Sequence, residues 1–181
     1  MTCIVATTDG KTVWMGGDSL GASGYFCTLR KDKKVFVNGE YIIGFTTSFR
    51  MGDLLKWSFV PPKMPKNEKN IEKFMATKFI TKVLKVFDKN GYGKNENNRK
   101  EGGEFLIGVR GKIFHVHGDY QMGLAAHDYD ACGCGTELAL GSLMTSKKLK
   151  VDKPEERLIM ALEAAQMFGG GVREPWTILR V

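Results

Sequence analysis

Apolar residues crowd into two short runs, residues 2–8 and 11–16, with polar residues at their facing ends, and the two runs flank Asp9 and Gly10. An Asp-Gly pair between apolar-rich runs is a strong hairpin signal, because a tight two-residue turn needs positive φ at its central positions. The signal recurs where residues 35–37 and Tyr41–Phe45 flank Asn38 and Gly39, so the first 45 residues predict four strands. Residues 104–109 and 112–117 predict a third hairpin about Arg110 and Gly111. Residues 129–132 predict a further strand, and residues 176–181 a closing one.

Between these runs the period changes from two to that of a helix. Ser48 is placed to cap a helix carrying Met51, Leu54, Leu55 and Phe59, which Pro61 and Pro62 end. Asn70 caps a second, with Ile71, Phe74, Met75, Ile80, Val83, Leu84 and Phe87 on its buried side. Residues 89–103 are rich in Asn, Gly and Lys and predict a mobile surface loop. Thr136 is expected to cap a helix carrying Leu138, Leu140 and Leu143. Pro154, followed by Glu155 and Glu156, starts another that runs to Phe168 and breaks at Gly169, Gly170 and Gly171. Strands, two helices, strands, two helices and a strand make an α+β protein with antiparallel sheets. Two sheets sandwiched between helix layers would bury both faces of each. No repeat or linker divides the 181 residues, which are expected to form a single domain, 1–181.

Composition narrows the setting. A hydrophobic fraction of 43% suits a protein with a real core, and no apolar run approaches the roughly 18 residues that span a bilayer. With no charged-then-apolar leader, export is not expected and a cytoplasmic location is. Cys3, Cys27, Cys132 and Cys134 show neither a disulfide framework nor a C-x-x-C pair, so free thiols are expected. Much of the lysine behind the net charge of +7 lies in residues 63–100, interleaved with Asn, Glu and Gly. That reads as a solvated helix face and a polar loop; few aromatics sit among the basic residues, so nucleic acid is not an expected partner.

The candidate chemistry begins at Thr2. Removal of Met1 would put its hydroxyl beside its own α-amine, whose pKa of about 7.7–8.0 suits a base near neutrality. Asp18 ends the second strand, which the hairpin folds back toward Thr2, and Lys34 begins the next hairpin. A lysine near the Thr2 oxygen would favour the alkoxide, and an aspartate beside it would keep the lysine charged. Taken alone, these residues also fit a turn aspartate and a surface basic pair. Cys3 is a poorer nucleophile candidate, since exposing it costs two residues. His115 and His117 share a strand face, but two ligands without a third are more often satisfied polar residues, and no metal is expected. Cys132 and Cys134 share a face as ordinary small thiols. The glycines at 16–17 and 169–171 precede no Lys-Ser/Thr pair and make no phosphate loop, and no cofactor is expected.

The intervals carry a more specific signal. Thr2 with Cys-Ile-Val, then Gly16, Gly17, Asp18 and Ser19, then Lys33, Lys34 and Val35, then Ile42, Ile43, Gly44 and Phe45 resemble the amino-terminal half of proteasome β subunits. The chain is closer still to the bacterial HslV-type threonine peptidases. The resemblance implies a four-layer αββα sandwich, the N-terminal-nucleophile hydrolase fold, and a threonine-type amide-bond hydrolase. In it Thr2 is the nucleophile, Lys34 lowers its hydroxyl pKa, Asp18 holds Lys34, and a backbone N–H near Thr47 is the oxyanion donor. It implies a self-compartmentalised homo-oligomeric ring acting on peptide or unfolded protein. The chain has no ATP-binding motif, so an ATP-dependent unfoldase would be a separate partner. Four positions depart from the family pattern. Thr47 stands where glycine is usual, Cys134 replaces a serine near the terminal amine, Gln166 replaces an aspartate before the late glycine turn, and Gly169 stands where a serine is expected. A catalytically silent scaffold or binding protein, or a small-amide hydrolase on the same fold, are the alternatives.

Overall fold

Alternation sorts each central strand's side chains between two layers. The computed structural model describes residues 1–96 and 99–181. Its strands and helices, in chain order, are β1 (Cys3–Thr8), β2 (Val13–Gly17), β3 (Leu20–Ser23), β4 (Phe26–Leu29), β5 (Val35–Asn38) and β6 (Tyr41–Phe45). Helix α1 (Phe49–Asp53) follows and continues through a wider π-helical turn, Leu54–Ser58. Helix α2 (Ile71–Phe74) passes through a second such turn, Met75–Phe79, into α3 (Ile80–Lys89). Then come β7 (Lys94–Glu96), β8 (Arg99–Glu101), β9 (Phe105–Val109), β10 (Lys112–Val116), β11 (Met122–Leu124), β12 (Tyr129–Gly133), α4 (Thr136–Lys148), α5 (Pro154–Phe168) and β13 (Thr177–Arg180).

The strands form two antiparallel sheets, ordered β12-β1-β2-β13 and β11-β10-β9-β6-β5, with two separate hairpins, β3-β4 and β7-β8. On the first sheet Cys3, Val5, Trp14 and Ala131 face outward and pack on Ala139 and Leu143 of α4 and Leu158 and Leu162 of α5. On the second sheet Tyr41, Ile43, Phe45, Phe105, Ile107 and Phe114 face outward against the first three helices. The intervening positions, Ile4, Ala6, Val13, Met15, Ile42, Leu106, Ile113 and Cys132, form a middle layer. The result is the expected α+β sandwich of two antiparallel sheets between helix layers. Among the described residues no helix is long and apolar enough to cross a membrane.

Several local signals act as predicted. Ser48 accepts from the N–H of Met51 and Asn70 from that of Lys73 at 2.8 Å, so both cap their helices. Pro154 opens α5 with two acidic residues in its first turn, and Trp14 Nε1 donates to Glu155 at 3.0 Å, tying that turn to the first sheet.

Other expectations need correction. Six strands, not four, precede α1, because residues 20–29 form the hairpin β3-β4; every residue of β4 is exposed, so it lacks the apolar alternation that marks a half-buried strand. The strand β11, half-buried at Met122 and Gly123, has only three residues, too few to show an alternation. Within the loop predicted at 89–103, β7 and β8 pair, and residues 97 and 98 lie outside the described residues. Thr136 is the first helical residue rather than the cap. Gly135 holds the cap position, and the Thr136 hydroxyl donates back to Gly133 O at 2.6 Å.

The middle layer is thin where glycine faces it. A Cβ on Gly108 would lie 2.5 Å from Ile42 Cγ2 and Val13 Cγ1, and one on Gly44 would lie 2.5 Å from Ile4 Cγ2. All are β-branched side chains with little freedom to turn away. Gly108→Ala is therefore expected to lower stability by about 1–3 kcal/mol through overpacking, read as a fall in the midpoint of chemical denaturation at unchanged slope.

Candidate active site

Three chain segments meet at one end of the two sheets. Thr2 precedes β1, Asp18 follows β2, and Lys34 precedes β5. The β1-β2 register sets Ile4 opposite Gly17, which brings Asp18 level with the start of the chain. Gly133, opposite Cys3 in the β12-β1 pairing, adopts φ +101°, and a Cβ there would lie 2.3 Å from Thr2 O. Only glycine lets the two backbones approach so closely.

Lys34 is the centre of the arrangement and is 1% exposed. Its ammonium donates to Thr2 Oγ1 at 2.9 Å, to both carboxylate oxygens of Asp18 at 3.0 Å, and to Leu20 O at 2.6 Å. Asp18, equally buried, also accepts from the N–H of Cys3 at 3.0 Å and of Leu20 at 2.9 Å. Burial holds the Lys34 pKa below its usual value, and the charge of Asp18 opposes that shift. The lysine is thus a buried cation aimed at a hydroxyl oxygen, with one carboxylate as its counter-ion.

The Thr2 hydroxyl also donates to Met1 O, and Lys34 Nζ lies 3.5 Å from that same oxygen. With Met1 attached, the Thr2 nitrogen is a peptide N–H and donates to Cys134 Sγ at 3.3 Å. Cys134 Sγ is also 3.3 Å from Thr2 O and 3.7 Å from Gly171 O, so the late glycine turn reaches the terminus through Gly171. Cys3 is fully buried, and its thiol is pushed up to about 12, first by burial and then by the charge of Asp18. A thiolate is disfavoured there.

Thr47 lies between β6 and α1 and adopts φ +63°, the left-handed region that a β-branched residue normally avoids. Its hydroxyl is 3.0 Å from Thr46 Oγ1 and accepts from the N–H of Glu104 at 3.3 Å. Thr46 N donates in turn to Glu104 O at 3.0 Å. Such a conformation costs of order 1–3 kcal/mol and persists because its surroundings hold it. With Met1, Thr2, Ala22, Lys34, Phe45, Thr46, Ser48 and Phe49, Thr47 lines a cavity of about 60 Å³.

The structure thus brings Thr2, Asp18, Lys34, Thr47 and Cys134 together. Gln166 stands apart: its side chain accepts from the N–H of Glu174 at 2.8 Å and lines a separate surface cavity with Leu20, Cys27 and Arg173. Sequence reasoning missed Leu20, whose carbonyl and N–H both serve the lysine–aspartate pair; backbone groups leave no residue-type signal. It also missed Ser19, whose N–H donates to Arg173 O at 2.9 Å and fixes the turn that carries Asp18. His115 and His117 do not lack a third neighbour, because Glu104 joins them.

The layers form an αββα sandwich, two antiparallel sheets between helix layers, with Thr2, Asp18 and Lys34 at the junction. Among solved structures, BPH of Thiobacillus denitrificans superposes with a TM-score of 0.81 at 16% identity, over 100% of this chain and 97% of that one. BPH in complex with epoxomicin superposes equally well, at 15% identity over 99% and 98%. Eukaryotic HslV from Trypanosoma brucei gives a TM-score of 0.72 at 18% identity over 99% and 98%. No protein-family model and no curated protein matches the chain. The likenesses establish an HslV-like fold along essentially the whole chain.

Removing the carboxylate tests the electrostatics. Asp18→Asn leaves Lys34 without a counter-ion and is expected to cost about 3–5 kcal/mol at neutral pH, read by chemical denaturation. The sign with pH follows from the depressed lysine pKa: the unfolded chain holds its Lys34 proton up to about pH 10.5 and the folded variant loses it earlier. The variant's deficit should therefore shrink as pH rises toward 10.5.

Proposed function

We propose that this protein is a threonine-type peptidase whose nucleophile is the hydroxyl of Thr2, exposed by removal of Met1. The observation that carries the reading is the buried Lys34 ammonium 2.9 Å from Thr2 Oγ1, held by both oxygens of Asp18. In this reading the freed Thr2 amine, through a water, takes the hydroxyl proton as Oγ1 attacks the substrate carbonyl. Lys34 stabilises the developing alkoxide, and the Thr47 backbone N–H stabilises the oxyanion. The amine product leaves with the proton, and water then hydrolyses the Thr2 ester. Cys134 Sγ, 3.3 Å from the Thr2 nitrogen, would receive a hydrogen bond from the freed amine. Gln166 takes no part in this scheme.

We further propose that the chain works in a homo-oligomeric ring on peptide or unfolded protein in the cytoplasm, served by a separate ATP-dependent unfoldase. A ring would enclose a nucleophile that otherwise has open access to other proteins. The hairpin β3-β4 supports a contact between copies: Tyr25, Phe26 and Leu29 are 104%, 82% and 63% exposed.

A second reading, a catalytically silent scaffold, draws on the amine side. The replacement of a hydroxyl by the Cys134 thiol weakens the hydrogen bonding available to a free amine, and a retained Met1 would leave the Thr2 nitrogen an amide.

Mass spectrometry of the purified protein after incubation with a covalent threonine-directed probe decides between them. The expected result is loss of Met1 and one probe mass on Thr2. Thr2→Ala should lose hydrolysis of fluorogenic peptides by a factor on the order of 10³ or more, and Lys34→Ala by roughly 10²–10³. Epoxomicin, bound in the BPH complex, is expected to inhibit the wild type. Retention of Met1 without hydrolysis would favour the scaffold, and undiminished hydrolysis by Thr2→Ala would overturn Thr2 as the nucleophile. A screen of peptides against acylated small amines separates the peptidase from a small-amide hydrolase.

A further inference from the structure

The middle layer holds a second polar cluster that the Thr2 site does not use. In the β9-β10 pairing Phe105 lies opposite Val116, so one residue further out Glu104 comes beside His117. The period of two then turns Glu104, His115 and His117 to the inner face shared with Leu106 and Ile113. One ligand atom from each of the three lies within 4.8 Å of the other two. The imidazole rings of His115 and His117 stack with centroids 4.2 Å apart. From the facing sheet, Asp130 of β12 approaches His115 Nδ1 at 3.5 Å. The opposite ring nitrogen, His115 Nε2, is buried and has no hydrogen-bond partner.

That combination is unusual for a purely structural histidine, because a buried polar nitrogen without a partner costs free energy. A carboxylate on one imidazole nitrogen fixes the tautomer and leaves the other nitrogen as a lone-pair donor, the arrangement that supports metal-ligating histidines. We propose that Glu104, His115 and His117 bind one divalent transition cation of the zinc class, with His115 ligating through Nε2 and Asp130 orienting it. Two imidazoles and a carboxylate favour such a cation over magnesium or calcium, which prefer all-oxygen sets. Bonds of about 2.0–2.2 Å in a tetrahedral set place donor atoms about 3.4 Å apart, so the three side chains would draw in by about an ångström. Water would take the fourth position. The assignment does not depend on Thr2 being catalytic. It does reach that site mechanically, since the main chain of Glu104 bonds both Thr46 and Thr47.

The test uses the metal-free full-length protein titrated with zinc chloride alone, followed by calorimetry and thermal unfolding, and with cobalt(II) followed by visible absorbance. We expect one ion per chain, a raised unfolding temperature, and a cobalt spectrum without a thiolate-to-metal band. Asp130→Asn should weaken binding by about 10–100-fold, and His117→Ala and Glu104→Gln by at least as much. Absence of saturable zinc binding by the wild type overturns the proposal, as does affinity unchanged in His117→Ala. Binding lost in Cys27→Ser overturns it too, by putting the ion on an exposed thiol. Should the histidine variants fail to fold, the wild-type cobalt spectrum decides, and a thiolate band counts against the site.

Discussion

Burying the ammonium of Lys34 is the constraint around which the rest of this structure is arranged. An unpaired buried charge is prohibitively costly, so the lysine can occupy the junction of the sheets only with Asp18 and the Leu20 carbonyl already there. Asp18 is in turn held by the N–H groups of Cys3 and Leu20. One ion pair therefore pins the start of β1, the corner between β2 and β3, and the approach to β5. The Thr2 hydroxyl sits within reach of the lysine because the chain's first strand is fixed by the same carboxylate that neutralises it.

The sheets must also lie close enough for these segments to meet. Gly44 and Gly108 remove side chains from the middle layer where Ile4, Val13 and Ile42 would otherwise be pushed away. Gly133 does the same for backbone beside Thr2. Across the site, Thr47 holds a left-handed conformation without being glycine, and its hydroxyl bonds to Thr46 and to Glu104 N–H are what hold it there. A side chain that makes the conformation costly also supplies the bonds that fix it, so the backbone N–H at this corner is held more rigidly than glycine would hold it.

Legibility from sequence followed the physics of each element. The hairpins at Asp9 and Gly10 and at Asn38 and Gly39 were readable because tight turns demand particular residues, and the helix starts at Ser48, Asn70 and Pro154 because caps do. The intervals from Thr2 to Asp18 and Lys34 survived folding because two short hairpins set them. The hairpin β3-β4 was not readable, since its outer strand is exposed throughout and carries no burial pattern. Strands β7 and β8 were not readable either, because they lie in a stretch whose Asn, Gly and Lys composition matches that of a loop. Gln166 was matched by position along α5, yet a helix end can shift by a residue or two, and its side chain turned to Glu174. Glu104 escaped notice as a partner for His115 and His117 because cross-strand neighbours follow from register, which no local motif encodes.

The two polar clusters share more than a layer. Both lie where the apolar middle layer gives way to charge, and they are joined by the short path from Glu104 through its main chain to Thr46 and Thr47. Glu104 precedes β9, and its N–H and C=O are committed to the corner while its carboxylate faces the histidines. Whatever fixes that carboxylate therefore also limits how far the corner beside Thr2 can move. A change in the packing of β9 against β10 would be felt first at Thr47, because the strained residue has the least latitude to absorb it.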